Sequence, residues 1–212
     1  MKNIVRYAAE LSVAFVLLSP SLAFGQSAIS CFDGTEPVHQ DLGENPVTLP
    51  EGLGSFQLPD LGSAGLTVHY VRPDSFASSS SILLVIPGAG RNSDDYRNGW
   101  IDAACASGTF VAALGYSEED YDFAAYNMGG TISNLHFDNP RFAQVSETAT
   151  TLTLDDADIR FDVVTNRPDW IFDDFDRVFE QLVQTTGSEA ETYDIFGHSA
   201  GGQILHRLAN FE

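Results

Sequence analysis

Five consecutive apolar residues, Ile82-Leu83-Leu84-Val85-Ile86, stop at Pro87-Gly88-Ala89-Gly90. An apolar run of strand length has no polar face to turn to water, so it belongs in a sheet covered on both sides. Parallel strands need crossover connections, and the remainder of the chain must supply helices between them. The neighbouring sequence meets that demand. Ser93 reads as an N-cap, with Asp94 and Asp95 in the first turn of a helix reaching about Ala106. Phe110 to Leu114 is the next short apolar strand. Trp170, Ile171, Phe175, Val178, Phe179 and Leu182 then recur at spacings of three and four, an amphipathic helix that Gly187 stops. Tyr193 to Phe196 is a further strand, and a last helix runs through Ile204, Leu205 and Leu208.

Strands alternating with helices give an α/β class with a mostly parallel sheet and flanking helices. Leu66 to Val71 alternates as a half-exposed strand ended by Arg72-Pro73. Residues 26–65 are rich in Gly, Pro and Asp and read as a loop-like lead-in, with one strand near Gly54–Leu58. Residues 116–150 are polar and aromatic without a clear period. The domain proper is expected over residues 66–212.

Within this frame, Gly197-His198-Ser199-Ala200-Gly201 has the G-x-S-x-G spacing of a nucleophile elbow. A serine on a sharp turn between strand and helix stands clear of the sheet, and flanking glycines avoid clashes with the neighbouring backbone. A strand precedes this pattern, a helix follows it, and Gly202 adds one more small residue. Acyl transfer also needs two backbone N–H donors for the developing oxyanion. The residue after the nucleophile, Ala200, supplies one. The loop after an earlier buried strand supplies the other, and Ala89 within Gly88-Ala89-Gly90 is the candidate donor, with Gly90 and Arg91 as neighbours.

Together, LLVIPGAGRN and YDIFGHSAGGQILHR resemble the α/β-hydrolase superfamily, particularly bacterial secreted esterases and polyester depolymerase-like hydrolases. The resemblance covers about residues 66–212 and is most specific at the elbow. Isoleucine and proline stand before the glycine where many members carry histidine. The resemblance implies the N-terminal part of an α/β-hydrolase fold, with Ser199 as the acylated nucleophile and Ala89 and Ala200 forming the oxyanion hole. It implies a carboxylic-ester hydrolase with a small-molecule or polymeric ester as substrate, and neither cofactor nor metal. Two other classes stay open: a non-catalytic binding or relic protein of the same fold, and a peptidase or amidase.

Other chemistry-bearing residues point elsewhere. His198 fills the variable elbow position and packs beside the strand. His206 lies seven residues past Ser199, two helical turns on, and points away from its oxygen. His136 and Asp169 precede the serine in the chain order of a chymotrypsin-type triad, but that architecture has no use for an elbow. Asp155, Asp156 and Asp158 lack the spacing of a calcium loop and read as a solvated acidic face. The stretch Tyr116 to His136, with Tyr121, Phe123, Tyr126 and Asn127, is either a pocket-lining loop or a packed surface loop.

Residues 1–25 read as a secretory signal peptide: Lys2 and Arg6, the apolar run Leu11 to Leu18, and Ala23-Phe24-Gly25 before a cut at Gln26. The apolar run falls short of the roughly 20 residues that span a bilayer. Export to the periplasm or beyond permits a disulfide between Cys31 and Cys105, the two cysteines of the chain, although unpaired thiols are equally compatible. The formal charge is −20, and the one lysine, Lys2, leaves with the signal peptide, which brings the remainder to about −21. Such a surface repels nucleic acid and anionic membranes. It fits either adaptation to salty surroundings or an ordinary acidic exported protein. The sequence sets no oligomeric state.

One expectation concerns what is missing. In this fold the triad runs Ser, then Asp or Glu, then His along the chain, yet only Glu212 and His206 follow Ser199 as acid and base. The chain therefore reads as a fragment lacking the triad acid and base, with about 80–120 further residues to follow.

Overall fold

The computed structural model describes residues 31–32, 37–42, 48–61, 65–138, 140–146, 149–153 and 158–211 of the 212. The expected signal peptide, and Asp155 and Asp156 of the acidic triplet, lie outside these residues. The chain opens with strands β1 (Val38–Gln40), β2 (Gly52–Leu58), β3 (Leu66–Arg72) and β4 (Ile82–Ile86), then helices α1 (Ser93–Gly99) and α2 (Ile101–Ser107). Strand β5 (Phe110–Gly115) leads to the short helix α3 (Phe123–Asn127) and to strands β6 (Ile132–Phe137), β7 (Arg141–Ser146), β8 (Ala149–Thr153) and β9 (Ile159–Val163). Helix α4 (Ile171–Thr186), strand β10 (Asp194–Gly197) and helix α5 (Ala200–Phe211) complete it.

Six strands form the central sheet in the spatial order β1-β2-β3-β5-β4-β10. β4 pairs in parallel with β5 on one side and β10 on the other, and β1 is parallel to β2. β3 runs antiparallel to both its neighbours. The apolar run Ile82–Ile86 is thus an interior strand, as an unbroken hydrophobic sequence requires. Side chains alternate between the two faces along each strand. Leu84, Ile86, Ala112 and Leu114 meet Ile171, Phe175, Val178 and Leu182 of α4 and Ile204 of α5. Val85, Val111 and Ala113 point the other way, toward Ala104 of α2 with Trp100 and Ile101 beside it. The fold is mixed α/β, a mostly parallel sheet with helices on both faces.

Local differences from the sequence expectations have identifiable causes. The helix expected from Ser93 to about Ala106 is two helices, broken where Trp100 takes φ −101° and ψ −2° and its N–H reaches the carbonyls of Arg97 and Asn98. Asn92, not Ser93, occupies the cap position. The Ser93 hydroxyl is instead buried against β3, 2.9 Å from His69 Nδ1. Gly187 ends α4 as anticipated, in the left-handed conformation at φ 68°. Cys31 and Cys105 are bridged, tying the segment before β1 to α2. The stretch without visible period holds α3, β6, β7 and the start of β8; β6 pairs with the later β9 and β7 with β8, forming two antiparallel two-stranded ribbons outside the central sheet. Among the described residues no helix is long and apolar enough to cross a membrane.

Candidate active site

Parallel pairing sets Ile86, the last residue of β4, opposite Gly197, the last of β10. The loops leaving these two strands therefore emerge side by side at the same end of the sheet. From β10 the chain turns at once into α5 through Ser199, which takes φ +53°. A left-handed backbone costs a residue with a Cβ about 1–2 kcal/mol, so the turn must be held from outside. His198 N–H donates to the Ile86 carbonyl at 3.3 Å, Gly201 N–H to the His198 carbonyl at 2.9 Å, and Gln203 N–H to the Ser199 carbonyl at 3.0 Å.

The glycines on either side are required by space. A Cβ on Gly197 would come within 2.5 Å of the Gly201 carbonyl carbon, and one on Gly201 would overlap the Ile86 carbonyl oxygen. Strand, turn and helix are packed backbone to backbone, and the serine is what remains exposed at the corner.

The loop after β4 lies against this corner. A Cβ placed on Gly88 would stand 3.4 Å from Ser199 Cβ and 3.5 Å from His198 Nδ1. The loop closes as a turn, with Arg91 N–H donating to the Gly88 carbonyl at 3.0 Å. Neighbouring tyrosines brace it from two sides. Tyr96 Oη accepts from Gly88 N–H at 3.0 Å, and buried Tyr126 donates to the Pro87 carbonyl at 2.9 Å. Arg91 Nη1 and Nη2 donate to the carbonyls of Ser117 and Asp122, and its guanidinium lies 4.4 Å over the Tyr126 ring. Burial pushes the Arg91 pKa down, opposed by Tyr126, Glu118 and Asp122. Burial pushes Tyr126 up, so it stays a neutral hydrogen-bond donor at ordinary pH. Among the described residues, neither Ala89 N–H nor Ala200 N–H has an acceptor. The corner thus offers an exposed hydroxyl beside a braced loop, with two backbone donors uncommitted.

The remaining sequence candidates separate clearly. His198 is exposed, with Nδ1 2.6 Å from Tyr96 Oη. His206 is exposed on α5 and His69 is engaged with Ser93. His39 lies 3.1 Å from Ser55 Oγ, and His136 pairs with Asp138 at 3.4 Å rather than with Asp169. No histidine among the described residues hydrogen-bonds Ser199. Tyr116, Tyr121 and Tyr126 pack together in the core, with ring centroids 5.3 and 5.8 Å apart, so this part of the aromatic stretch braces the site rather than lining it. The Tyr96–His198 contact is one that sequence reading missed, since 102 positions separate the two residues and neither type is diagnostic. A shallow groove of about 340 Å³ beside the elbow is lined by Tyr96, Trp100, Phe196 and His198. Among the described residues no group of His, Cys, Asp or Glu is arranged to hold a metal ion.

No protein-family model matches the chain. No curated protein matches it either. Solved structures do, two of them as follows. A poly(aspartic acid) hydrolase from Sphingomonas sp. KT-1 is 35% identical, with a TM-score of 0.56 over 75% of this chain and 51% of that one. A poly(3-hydroxybutyrate) depolymerase from Bordetella parapertussis is 25% identical, with a TM-score of 0.55 over 75% of this chain and 47% of that one. The chain spans about half the length of these structures. Its central sheet and flanking helices are therefore similar to those of two polymer-degrading hydrolases.

Proposed function

We propose that this chain is the nucleophile-bearing part of an exported α/β-hydrolase that cleaves a carboxylic ester through an acyl-enzyme on Ser199. The observation that carries the reading is the corner itself: Ser199 at φ +53° between β10 and α5, with the Gly88 loop packed against it. In this mechanism Ser199 Oγ attacks the ester carbonyl carbon, and the carbonyl oxygen becomes an oxyanion bonded by the N–H groups of Ala89 and Ala200. Collapse expels the alcohol, and water then attacks the acyl-enzyme to release the acid. Both halves need a general base, and no histidine reaches Ser199 among the described residues. The two structural neighbours are named for polymers, which supports a polymeric ester alongside small ones.

One observation favours a second reading. Poly(aspartic acid) is joined by amide bonds, so the 35% identical neighbour supports amide hydrolysis on the same corner. The test uses the natural polypeptide containing this chain. A fluorophosphonate probe should label Ser199, the Ser199→Ala variant should stay unlabelled, and 4-nitrophenyl esters should be cleaved well ahead of the matching anilides. Anilide turnover at or above the ester rate would transfer the assignment to an amidase. Absence of both labelling and turnover would leave a non-catalytic protein of this fold.

A further inference from the structure

We infer that Arg91 is a positioning residue of the Ser199 site: clamped to the turn after β5 and to the face of Tyr126, it fixes the direction of the Ala89 N–H that the proposed mechanism aims at the oxyanion. The inference rests on the hydrolase reading above and adds to it a residue that touches neither the serine nor the ester.

Ala89 and Gly90 are the two central residues of the turn Gly88–Arg91, which Arg91 N–H closes by donating to the Gly88 carbonyl at 3.0 Å. Ala89 therefore points wherever the two ends of the turn put it. The Gly88 end is set against the elbow, where a Cβ would stand 3.4 Å from Ser199 Cβ, and its N–H donates to Tyr96 Oη at 3.0 Å. The other end is Arg91, and its backbone is strained: φ is +51°, in the left-handed region that a residue with a Cβ avoids. Glycine would take this conformation freely. An arginine persists in it only where its surroundings hold it, and what holds it here is its side chain.

That side chain has three anchors, all within residues 117–126. Nη1 donates to the Ser117 carbonyl at 2.8 Å, Nη2 donates to the Asp122 carbonyl at 3.2 Å, and the guanidinium lies 4.4 Å from the centre of the Tyr126 ring. The anchoring segment is itself fixed. The Ser117 carbonyl also accepts from Tyr121 N–H at 3.1 Å and the Asp122 carbonyl from Tyr126 N–H at 3.0 Å, while the Asp122 carboxylate caps α3 through Ala125 N–H at 2.7 Å. Tyr126 is fully buried and returns to the same loop, donating to the Pro87 carbonyl at 2.9 Å. A circuit thus runs from Pro87 through Tyr126 and Arg91 back to Gly88, with Ala89 held inside it. A flat guanidinium fork meets two carbonyls at once while its face lies on a ring; a lysine has a single nitrogen to offer and cannot do all three.

The experiment uses the natural polypeptide containing this chain, with 4-nitrophenyl butyrate as substrate and a fluorophosphonate as probe of the serine. Arg91→Ala and Arg91→Lys should each lower kcat about tenfold or more with KM nearly unchanged, because a displaced oxyanion donor is felt in the transition state and not in the bound ester. Fluorophosphonate labelling should slow by the same factor. Millimolar guanidinium ion should restore the rate of Arg91→Ala several-fold, a response that general loss of folding does not give. Where Arg91→Ala fails to fold, Arg91→Lys, which keeps the charge and the apolar stem, decides on the split between kcat and KM. Parental kcat in Arg91→Lys, a change confined to KM, or activity lost only in step with folded protein and without rescue overturns the positioning role and leaves the hydrolase reading standing. A parent protein that neither cleaves the ester nor accepts the probe overturns both.

Discussion

The hydroxyl of Tyr96 lies 2.6 Å from His198 Nδ1 while accepting a 3.0 Å hydrogen bond from Gly88 N–H. One side chain of α1 thus joins the elbow, through His198, to the loop after β4, through Gly88, the two segments that the proposed mechanism needs in register. Which of the two groups donates across the Tyr96–His198 contact depends on the imidazole tautomer, and the phenol oxygen can accept from Gly88 N–H in either case.

Removing that hydroxyl tests the joint. Tyr96→Phe leaves the part-buried Gly88 N–H without its acceptor, which costs about 1 kcal/mol of stability. The larger effect is on position, since a loop displaced by an ångström serves the transition state badly. In the natural polypeptide kcat should fall about tenfold with KM nearly unchanged, because the oxyanion donors act on the transition state rather than the bound ester. A change confined to KM would show that Tyr96 only shapes the groove beside the elbow.

Strain at the elbow predicts opposite outcomes for two small substitutions. Ser199→Gly relieves a left-handed backbone at φ +53° and should raise unfolding stability by about 1 kcal/mol while removing the nucleophile. Gly201→Ala pushes a methyl group into the Ile86 carbonyl oxygen, where only a backbone shift can make room. It should cost about 3 kcal/mol or prevent folding. Denaturant titration of both variants checks the pair. Equal and mild effects would mean the elbow is looser than its packing.

Much of this arrangement could be read from sequence, and what could not has a common cause. Ile82–Ile86, the amphipathic run of α4 and the G-x-S-x-G turn each carry their signal within about a dozen residues. Strand β4 matches its expected limits, and β2, β3, β5, β10, α4 and α5 fall within a few residues of theirs. The displaced cap at Ser93 was not visible, because its hydroxyl is taken by His69 of β3, 24 positions away, rather than by its own helix. The ribbon β6/β9 escaped for a related reason. In β6/β9 most side chains are exposed or half-buried, Phe161 and Val163 among the exposed, so no alternation of buried and solvated positions was imposed on that sequence.

Asp174 gives a prediction about acid. It is buried at the start of α4, and loss of hydration pushes its pKa up to about 6. A 3.3 Å hydrogen bond from Tyr116 and the Arg177 guanidinium pull the other way, while Asp173 adds to the rise. A carboxyl that titrates near 6 when folded and near 3.8 when unfolded holds more protons in the native state between those values. Its contribution to stability therefore declines as pH rises from about 4 to about 6, and stays at the lower level above that. Asp174→Asn keeps the acceptor for Tyr116 without the buried charge. Relative to the parent, the variant should gain stability across this interval and level off above it, read as paired denaturation midpoints from pH 4 to 8. A constant difference between the two proteins would show that Asp174 does not titrate there.

The sheet edge supplies the last prediction. β10 pairs with β4 on one side, and among the described residues nothing pairs with its other side. Phe196 on this strand is 39% exposed, covered in part by Trp100 with ring centroids 5.3 Å apart. An unpaired strand edge beside exposed aromatic surface is a template for association, and native sheets protect such edges with charge, brevity or a covering element. Four residues is short, but the adjacent groove of Tyr96, Trp100 and Phe196 extends the apolar surface. The 212-residue polypeptide expressed by itself should therefore elute larger than a monomer and lose soluble protein with concentration. Phe196→Lys, which places a charge at the edge, should restore monomer. The same polypeptide should fail to hydrolyse 4-nitrophenyl esters, because Ser199 hydrogen-bonds no histidine among the described residues and an unassisted serine is a weak nucleophile. A monodisperse, ester-cleaving 212-residue protein would contradict both expectations, and the search for its base would turn to His39, His69 and His136.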